Sequence, residues 1–319
     1  MLVIVAPGQG AQVPGFLSPW LELPGMAERF DRWSSVTGLD LAHFGTKADA
    51  DEIRDTAIAQ PLLVSAGLAA ASALFGTLDE APASIDAVAG HSVGEFTAAG
   101  VAGVLSPEDA LALVAERGRG MAEAAATTAT GMTAVLGGDR AEVLAAIEAA
   151  GLTPANDNGS GQIVAAGTVE QLEAFAAAPP AKARLRPLSV AGAFHTHHMA
   201  PAVERVRGRA QDITAADPRT RLLTNSDGSV VTSGRAYLDL LVSQIQSPVR
   251  WDACTATFAE LGVTALIELP PAGTLVGLAK RALRGVELLA VKTPDDLDRA
   301  RELVKEHAGS PSADPEGRD

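Results

Sequence analysis

Apolar residues follow two rhythms along this chain, and the change between them outlines its organisation. Residues 2–6 (LVIVA) form an unbroken apolar run of strand length that enters a Gly/Pro loop, Pro7-Gly8-Gln9-Gly10-Ala11-Gln12. Helical stretches follow to about Leu78, residues 85–90 predict a second buried strand, and residues 93–104 predict a helix. Ser106-Pro107-Glu108-Asp109 reads as a helix start, with a serine cap, proline in the first turn and acids at the positive end of the dipole. That helix is expected to run to about Ala126. Strands and helices alternating in this way predict a parallel sheet covered on both faces.

The pattern then changes. Residues 132–136, 162–166 and 185–190 predict strands, residues 140–150 and 169–178 predict helices, and residues 156–161 (NDNGSG) predict a turn. Strand, helix, strand, helix, strand in so short a stretch resembles a split βαβ unit inserted into the larger sheet. The expected fold class is therefore α/β, with a large domain over 1–127 and 192–308 and a small α+β subdomain over 128–191. The large-domain pattern resumes at His195 and ends in a strand at 264–269 and a helix at 275–283. The tail, 309–319, lacks apolar periodicity and is expected to be disordered.

Composition narrows the function. With 47% apolar and 20% charged residues, the 319-residue chain has ample material for a packed core. Its 25 basic against 39 acidic side chains leave a net charge of −14. That balance argues against nucleic acid or a membrane surface as general partners, since both are polyanions. The single cysteine, Cys254, excludes an intramolecular disulfide and a cysteine-cluster metal site, and fits a reducing, cytoplasmic compartment. The first basic residue is Arg29, so no charged region precedes a signal-peptide core. Residues 56–78 carry no charge and could span a bilayer by length, but small residues dominate them; a buried helix starting at Pro61 is expected.

Gly90-His91-Ser92-Val93-Gly94 is a G-x-S-x-G sequence between a predicted strand and a predicted helix. A serine at the apex of so sharp a turn exposes its hydroxyl, the glycines remove clashing Cβ atoms, and the following helix aims its dipole and free N–H groups at an oxyanion. The earlier glycine loop is no nucleotide site: Val13 stands where a dinucleotide fingerprint needs glycine, and no phosphate-binding lysine follows. Among six histidines, His195 lies in the uncharged run 187–203, where a neutral imidazole could act as a general base. His195, His197 and His198 also suggest a metal, yet no acidic residue lies between Arg186 and Glu204, so the set is under-ligated and no metal is expected. In the helix after Ser106, Arg117 shares a face with Leu113, Val114 and Met121 and so points to the apolar side, whereas Arg119 neighbours Glu116 and Glu123. A core-facing arginine needs an anionic partner, either a protein carboxylate or a bound substrate, and the helix pattern leaves both open.

Eight ordered stretches carry a resemblance: APGQGAQ (6–12), AQPLL (59–63), GHSVGEFTA (90–98), ERGRGM (116–121), NDNGSGQIVAAG (156–167), GAFHTHHM (192–199), SQIQSPVRW (243–251) and GTLVGLAKRAL (273–283). Up to about residue 307 the chain resembles the malonyl-CoA:acyl carrier protein transacylases of fatty-acid and polyketide synthesis. The resemblance implies an α/β-hydrolase-like core with a ferredoxin-like insertion, and ping-pong transfer of a malonyl group through Ser92 with His195 as base. It implies further that the backbone N–H groups of Gln9 and Val93 form the oxyanion hole, that Arg117 grips the malonyl carboxylate, and that the backbone carbonyl of Gln244 orients His195. Phe194 resembles the residue that keeps such enzymes selective for unbranched malonyl. Malonyl-CoA and phosphopantetheinylated acyl carrier protein are the implied partners of a monomer without a resident cofactor. Ser247 and Pro270 depart from the usual Asn and Gly. A thioester hydrolase on the same scaffold is the rival enzyme, which Arg117 argues against, and a carrier-binding module without catalysis is the non-enzymatic rival.

Overall fold

A computed structural model describes residues 1–309. Of the expected tail, all but Gly309 lies outside the described residues; the Gly309 N–H bonds the Asp86 carboxylate. Among the described residues, eleven strands form two sheets. They are β1 (Leu2–Ala6), β2 (Ala87–Gly90), β3 (Thr130–Gly137), β4 (Thr153–Asp157), β5 (Gln162–Thr168), β6 (Ala183–Pro187), β7 (Arg221–Leu223), β8 (Val230–Val231), β9 (Val249–Arg250), β10 (Ala265–Glu268) and β11 (Glu287–Ala290).

The larger sheet has the order β11-β10-β1-β2-β7-β8, parallel except for the β7–β8 pair. Its central strand is the apolar run β1, every residue of which is buried, as expected for a strand covered on both faces. Val3 pairs with Ala87 and Ala6 with Gly90, so β1 and β2 end together at the loops that carry Gln9 and Ser92. Brief strands and long helical connections make this the α/β class that strand-helix alternation predicts.

The second sheet has the order β6-β3-β5-β4-β9. Strands β3 to β6 with the helices Arg140–Ala149 and Val169–Ala177 follow βαββαβ order, the ferredoxin-like arrangement. The sequence reading had one strand too few here. Thr153-Pro154-Ala155-Asn156-Asp157 looks like turn chemistry, yet β4 pairs with β5 across a register shift at Pro154/Asn156. A bulge is where a strand tolerates proline. The fifth strand, β9, comes from later in the chain and pairs parallel with β4, Asn156 opposite Val249.

Two further expectations need correction. The helix expected from Pro61 spans Thr56–Phe75: the Asp55 carboxylate caps it from the Ala57 N–H at 2.8 Å, and Pro61 lies inside it. This helix is long and apolar enough to cross a membrane, but it is buried nearly all round against the Pro107–Ala125 helix. Small residues permit that packing; a Cβ on Gly118 would come within 2.9 Å of the Thr56 carbonyl oxygen. Nor does the chain's regular structure end near residue 283. β11 extends the large sheet beyond β10, and an amphipathic helix, Leu297–His307, closes over it.

Candidate active site

The sharp bend after β2 is enforced by the lack of side chains. A Cβ on Gly90 would lie 2.0 Å from the Gly94 carbonyl carbon, and one on Gly94 would lie 2.2 Å from the Ala6 oxygen. Ser92 sits between them at φ 53°, a strained left-handed conformation for a residue with a side chain. Asn225 holds it there: its Oδ1 accepts the Ser92 N–H at 2.7 Å and its Nδ2 donates to the Gly90 carbonyl at 2.6 Å.

Across the cleft, His195 has φ 61° and is 3% exposed. Its Nδ1 lies 2.8 Å from the Gln244 backbone carbonyl, and its Nε2 lies 2.7 Å from Ser92 Oγ. A carbonyl only accepts, so Nδ1 carries the proton and Nε2 is left to accept the one from serine. Burial, then the charge of Arg117, pushes the imidazole down to about 3, which keeps it neutral at physiological pH. Both ring nitrogens are thereby engaged within the protein. His197 and His198 stack on each other, with ring centroids 4.1 Å apart.

Arg117 is wholly buried. Nη1 donates to Gln60 Oε1 at 2.7 Å, and Nη2 donates to Gln244 Oε1 at 2.7 Å and to Ser92 Oγ at 3.2 Å. Its Nε has no partner among the described residues. Burial lowers the guanidinium to about 9, with Glu95 opposing the shift, so the group stays charged at neutral pH. No carboxylate among the described residues pairs directly with it: side-chain amides and the Ser92 hydroxyl hold this arginine.

Gln9, Ser92, Phe194 and His195 line one cavity of about 240 Å³, together with Met132 from β3 and Leu278 from the Thr274–Ala282 helix. The backbone N–H groups of Gln9 and Val93 have no acceptor among the described residues, as donors awaiting an oxyanion would. Phe194 is 6% exposed and forms cavity wall. His91 closes the other side: its Nε2 donates to Asn158 Oδ1 at 2.8 Å, linking the serine turn to the second sheet.

The sequence reading missed Gln60, Glu95, Asn158 and Asn225. The first three lie within the stretches that carry the resemblance, but nothing in their spacing shows that they meet. Asn225 follows β7 in Thr224-Asn225-Ser226-Asp227-Gly228, which by pattern is an ordinary turn.

A serine whose proton faces a neutral imidazole, beside unpaired backbone donors on an α/β sheet, is equipped for acyl transfer. The acyl transferase domain family matches residues 3–301, and the chain belongs to it. The malonyl CoA-acyl carrier protein transacylase of Mycobacterium tuberculosis is 55% identical over 303 residues, covering 95% of this chain and all of that protein. The Escherichia coli transacylase of the same name is 34% identical, over 94% of this chain and 98% of its own length. A crystal structure of the M. tuberculosis enzyme superposes with a TM-score of 0.89, covering 94% of this chain and 99% of that one at 54% identity.

Proposed function

We propose that this protein transfers the malonyl group of malonyl-CoA to the phosphopantetheine thiol of acyl carrier protein through a malonyl-Ser92 ester. One observation carries the reading: Ser92 Oγ lies within hydrogen-bond reach of both a neutral His195 and the buried, charged Arg117. The same hydroxyl is thus activated as a nucleophile and placed beside a cation suited to a carboxylate.

In the first half-reaction the Ser92 proton passes to His195 Nε2 as Oγ attacks the thioester carbonyl. The Gln9 and Val93 N–H groups receive the oxyanion, the C–S bond breaks, and the coenzyme A thiolate takes the proton from the imidazolium. In the second, His195 takes the proton of the carrier thiol, the sulfur attacks the ester, and Ser92 leaves with that proton. Arg117 grips the malonyl carboxylate side-on through the free Nε and through Nη2, which gives up its bond to Ser92 once that oxygen is acylated. Gln244 contributes a carbonyl and no charge, so the imidazolium is less stabilised than beside a carboxylate. A thioester is already activated, and the weaker base suffices.

The chemistry balances with these residues, the thioester donor and the thiol acceptor, and requires no resident cofactor or metal. A monomer in the cytoplasm fits the reading. Both partners are anionic, whereas the chain carries −14. Lys280, Arg281 and Arg284, exposed and outside any ion pair among the described residues, extend from the helix whose Leu278 lines the cavity, and offer a local positive landing site. Arg184 and Arg186, exposed on the edge strand β6, offer a second.

The test incubates purified protein with malonyl-CoA and phosphopantetheinylated carrier protein, followed by mass spectrometry. A malonyl adduct on the protein, absent in Ser92→Ala, and malonyl-carrier product are expected. Free malonate as the sole product would show a hydrolase instead, and no adduct would leave a binding module.

A further inference from the structure

We propose that Glu95 is a positioning residue of the acyl-transfer site, whose carboxylate ties together the two chain segments that hold Ser92 and His195 and balances Arg117 without pairing with it. The inference rests on the acyl-transfer reading given above.

Glu95 is the second residue of the buried helix Gly94–Val101, immediately beyond the serine turn, and is 1% exposed. A carboxylate so placed is unfavourable unless both oxygens are hydrogen-bonded and its charge is met. Each oxygen takes a different segment. Oε1 accepts the backbone N–H of Asn225 at 2.7 Å, and Oε2 accepts from the Gln244 side-chain amide. Asn225 is the residue that grips Ser92 N–H and the Gly90 carbonyl. Gln244 supplies the carbonyl that orients His195, and its Nε2 also donates to the Ser92 carbonyl at 2.9 Å. One side chain therefore sets nucleophile and base relative to each other.

Burial draws the carboxyl up to about 7, and the charge it carries at and above that pH is met indirectly. The Gln244 amide stands between Glu95 and Arg117, its Nε2 toward the carboxylate and its Oε1 toward the guanidinium. A neutral amide relays the attraction through its dipole while keeping the two ions apart. Direct contact would spend the planar fork of Arg117 on a protein carboxylate, which an incoming carboxylate would then have to displace. With the spacer, Arg117 stays charged in the dry interior and its Nε stays free. This also accounts for why a buried arginine has amides rather than acids as its immediate partners.

The experiment compares full-length wild type, Glu95→Gln, Gln244→Leu and the double variant, with circular dichroism confirming the fold. Two rates are read: Ser92 labelling by a fluorophosphonate, which carries no carboxylate, and transfer of malonyl and acetyl groups with kcat and KM separated. Each single variant is expected to slow labelling and kcat for both acyl groups by roughly 10- to 100-fold, as when one buried hydrogen-bonded support goes slack. Each is also expected to raise KM for malonyl-CoA more than for acetyl-CoA. Because both residues act through one chain of contacts, the double variant should be no slower than the worse single. Should Glu95→Gln not fold, Glu95→Asp replaces it; keeping the charge on a shorter reach, it should retain malonyl preference while losing rate. Wild-type labelling and kcat in the Glu95 variant, or losses that multiply in the double, would overturn the proposal. A failure of the acyl-transfer reading itself would show separately, as wild type that forms no malonyl adduct.

Discussion

Replacing Arg117 by alanine separates recognition of the acyl group from the chemistry at serine. In the free protein the change removes three hydrogen bonds, to Gln60, Gln244 and Ser92, and leaves two buried amide oxygens without donors. For an acetyl donor only this support of the site is lost, about 1.5 kcal/mol, or roughly tenfold in kcat/KM. A malonyl donor additionally loses its partner for a desolvated carboxylate, and breaking such a pair costs about 3–5 kcal/mol. The preference for malonyl over acetyl should therefore fall by roughly 10²- to 10⁴-fold, with most of the loss on the malonyl side. The assay is initial-rate transfer to carrier protein from each donor, read by mass spectrometry, with Arg117→Lys as a second variant. Lysine keeps the charge but not the fork, so intermediate selectivity is expected. Equal losses for both donors would refute the carboxylate grip and leave Arg117 a structural cation.

Three further outcomes follow from the same geometry. Phe194→Ser should open the cavity wall and raise transfer of methylmalonyl relative to malonyl by roughly tenfold, in the range for one methyl group in a pocket; an unchanged ratio would return Phe194 to the core. Replacing Lys280, Arg281 and Arg284 by alanine should raise KM for the carrier protein and flatten its dependence on ionic strength, while small-molecule labelling of Ser92 stays as in wild type. The pH dependence of stability should carry two opposing slopes. The folded-state value of His195 is depressed, so its contribution is present above 6.5 and is lost as pH falls toward about 3. That of Glu95, which burial raises to about 7 against the pull of Asn225, Gln244 and Arg117, is present below 4.5 and is lost as pH rises through 7. Its other titratable neighbours, Tyr237 and Cys254, are pushed upward by burial and stay neutral across this window. Urea midpoints between pH 4.5 and 7 should rise more steeply with pH in Glu95→Gln than in wild type, and less steeply in His195→Gln; matching slopes in all three would contradict these shifts.

What the sequence makes legible is chemistry that resides in a local pattern. Ser92 announces itself because a G-x-S-x-G turn is a property of five adjacent residues, and Arg117 because its helical face is apolar. His195 stands out as a histidine in a long uncharged run. The backbone carbonyl of Gln244 has no signature in residue type, since any residue supplies one; only the resemblance points to it. Glu95 and Asn225 are harder still, for their roles exist only once β2, β7 and the segment before β9 have come together. Among the elements, β4 is hidden by Pro154 and by asparagines that elsewhere make turns. Pro61 draws attention from Asp55, the true cap six residues before it. β11, four residues with an exposed start and half-buried thereafter, has too little apolar contrast to be seen.

The pairing of β9 with β4 has a mechanical consequence. Val249 lies five positions beyond Gln244, so the strand that stitches the second sheet to the rest of the protein belongs to the same short segment as the histidine's anchor. The other edge is tied as well: β6 runs on through residues 188–194 into His195 itself, so the base and its anchor reach the site from opposite edges of one sheet. Displacing either edge strand would move the imidazole or the carbonyl that orients it. Hydrogen exchange is expected to show the inner strands β3, β5 and β4 outlasting the two edges. The second sheet thus acts as a calliper that holds base and anchor at one spacing from one acyl transfer to the next.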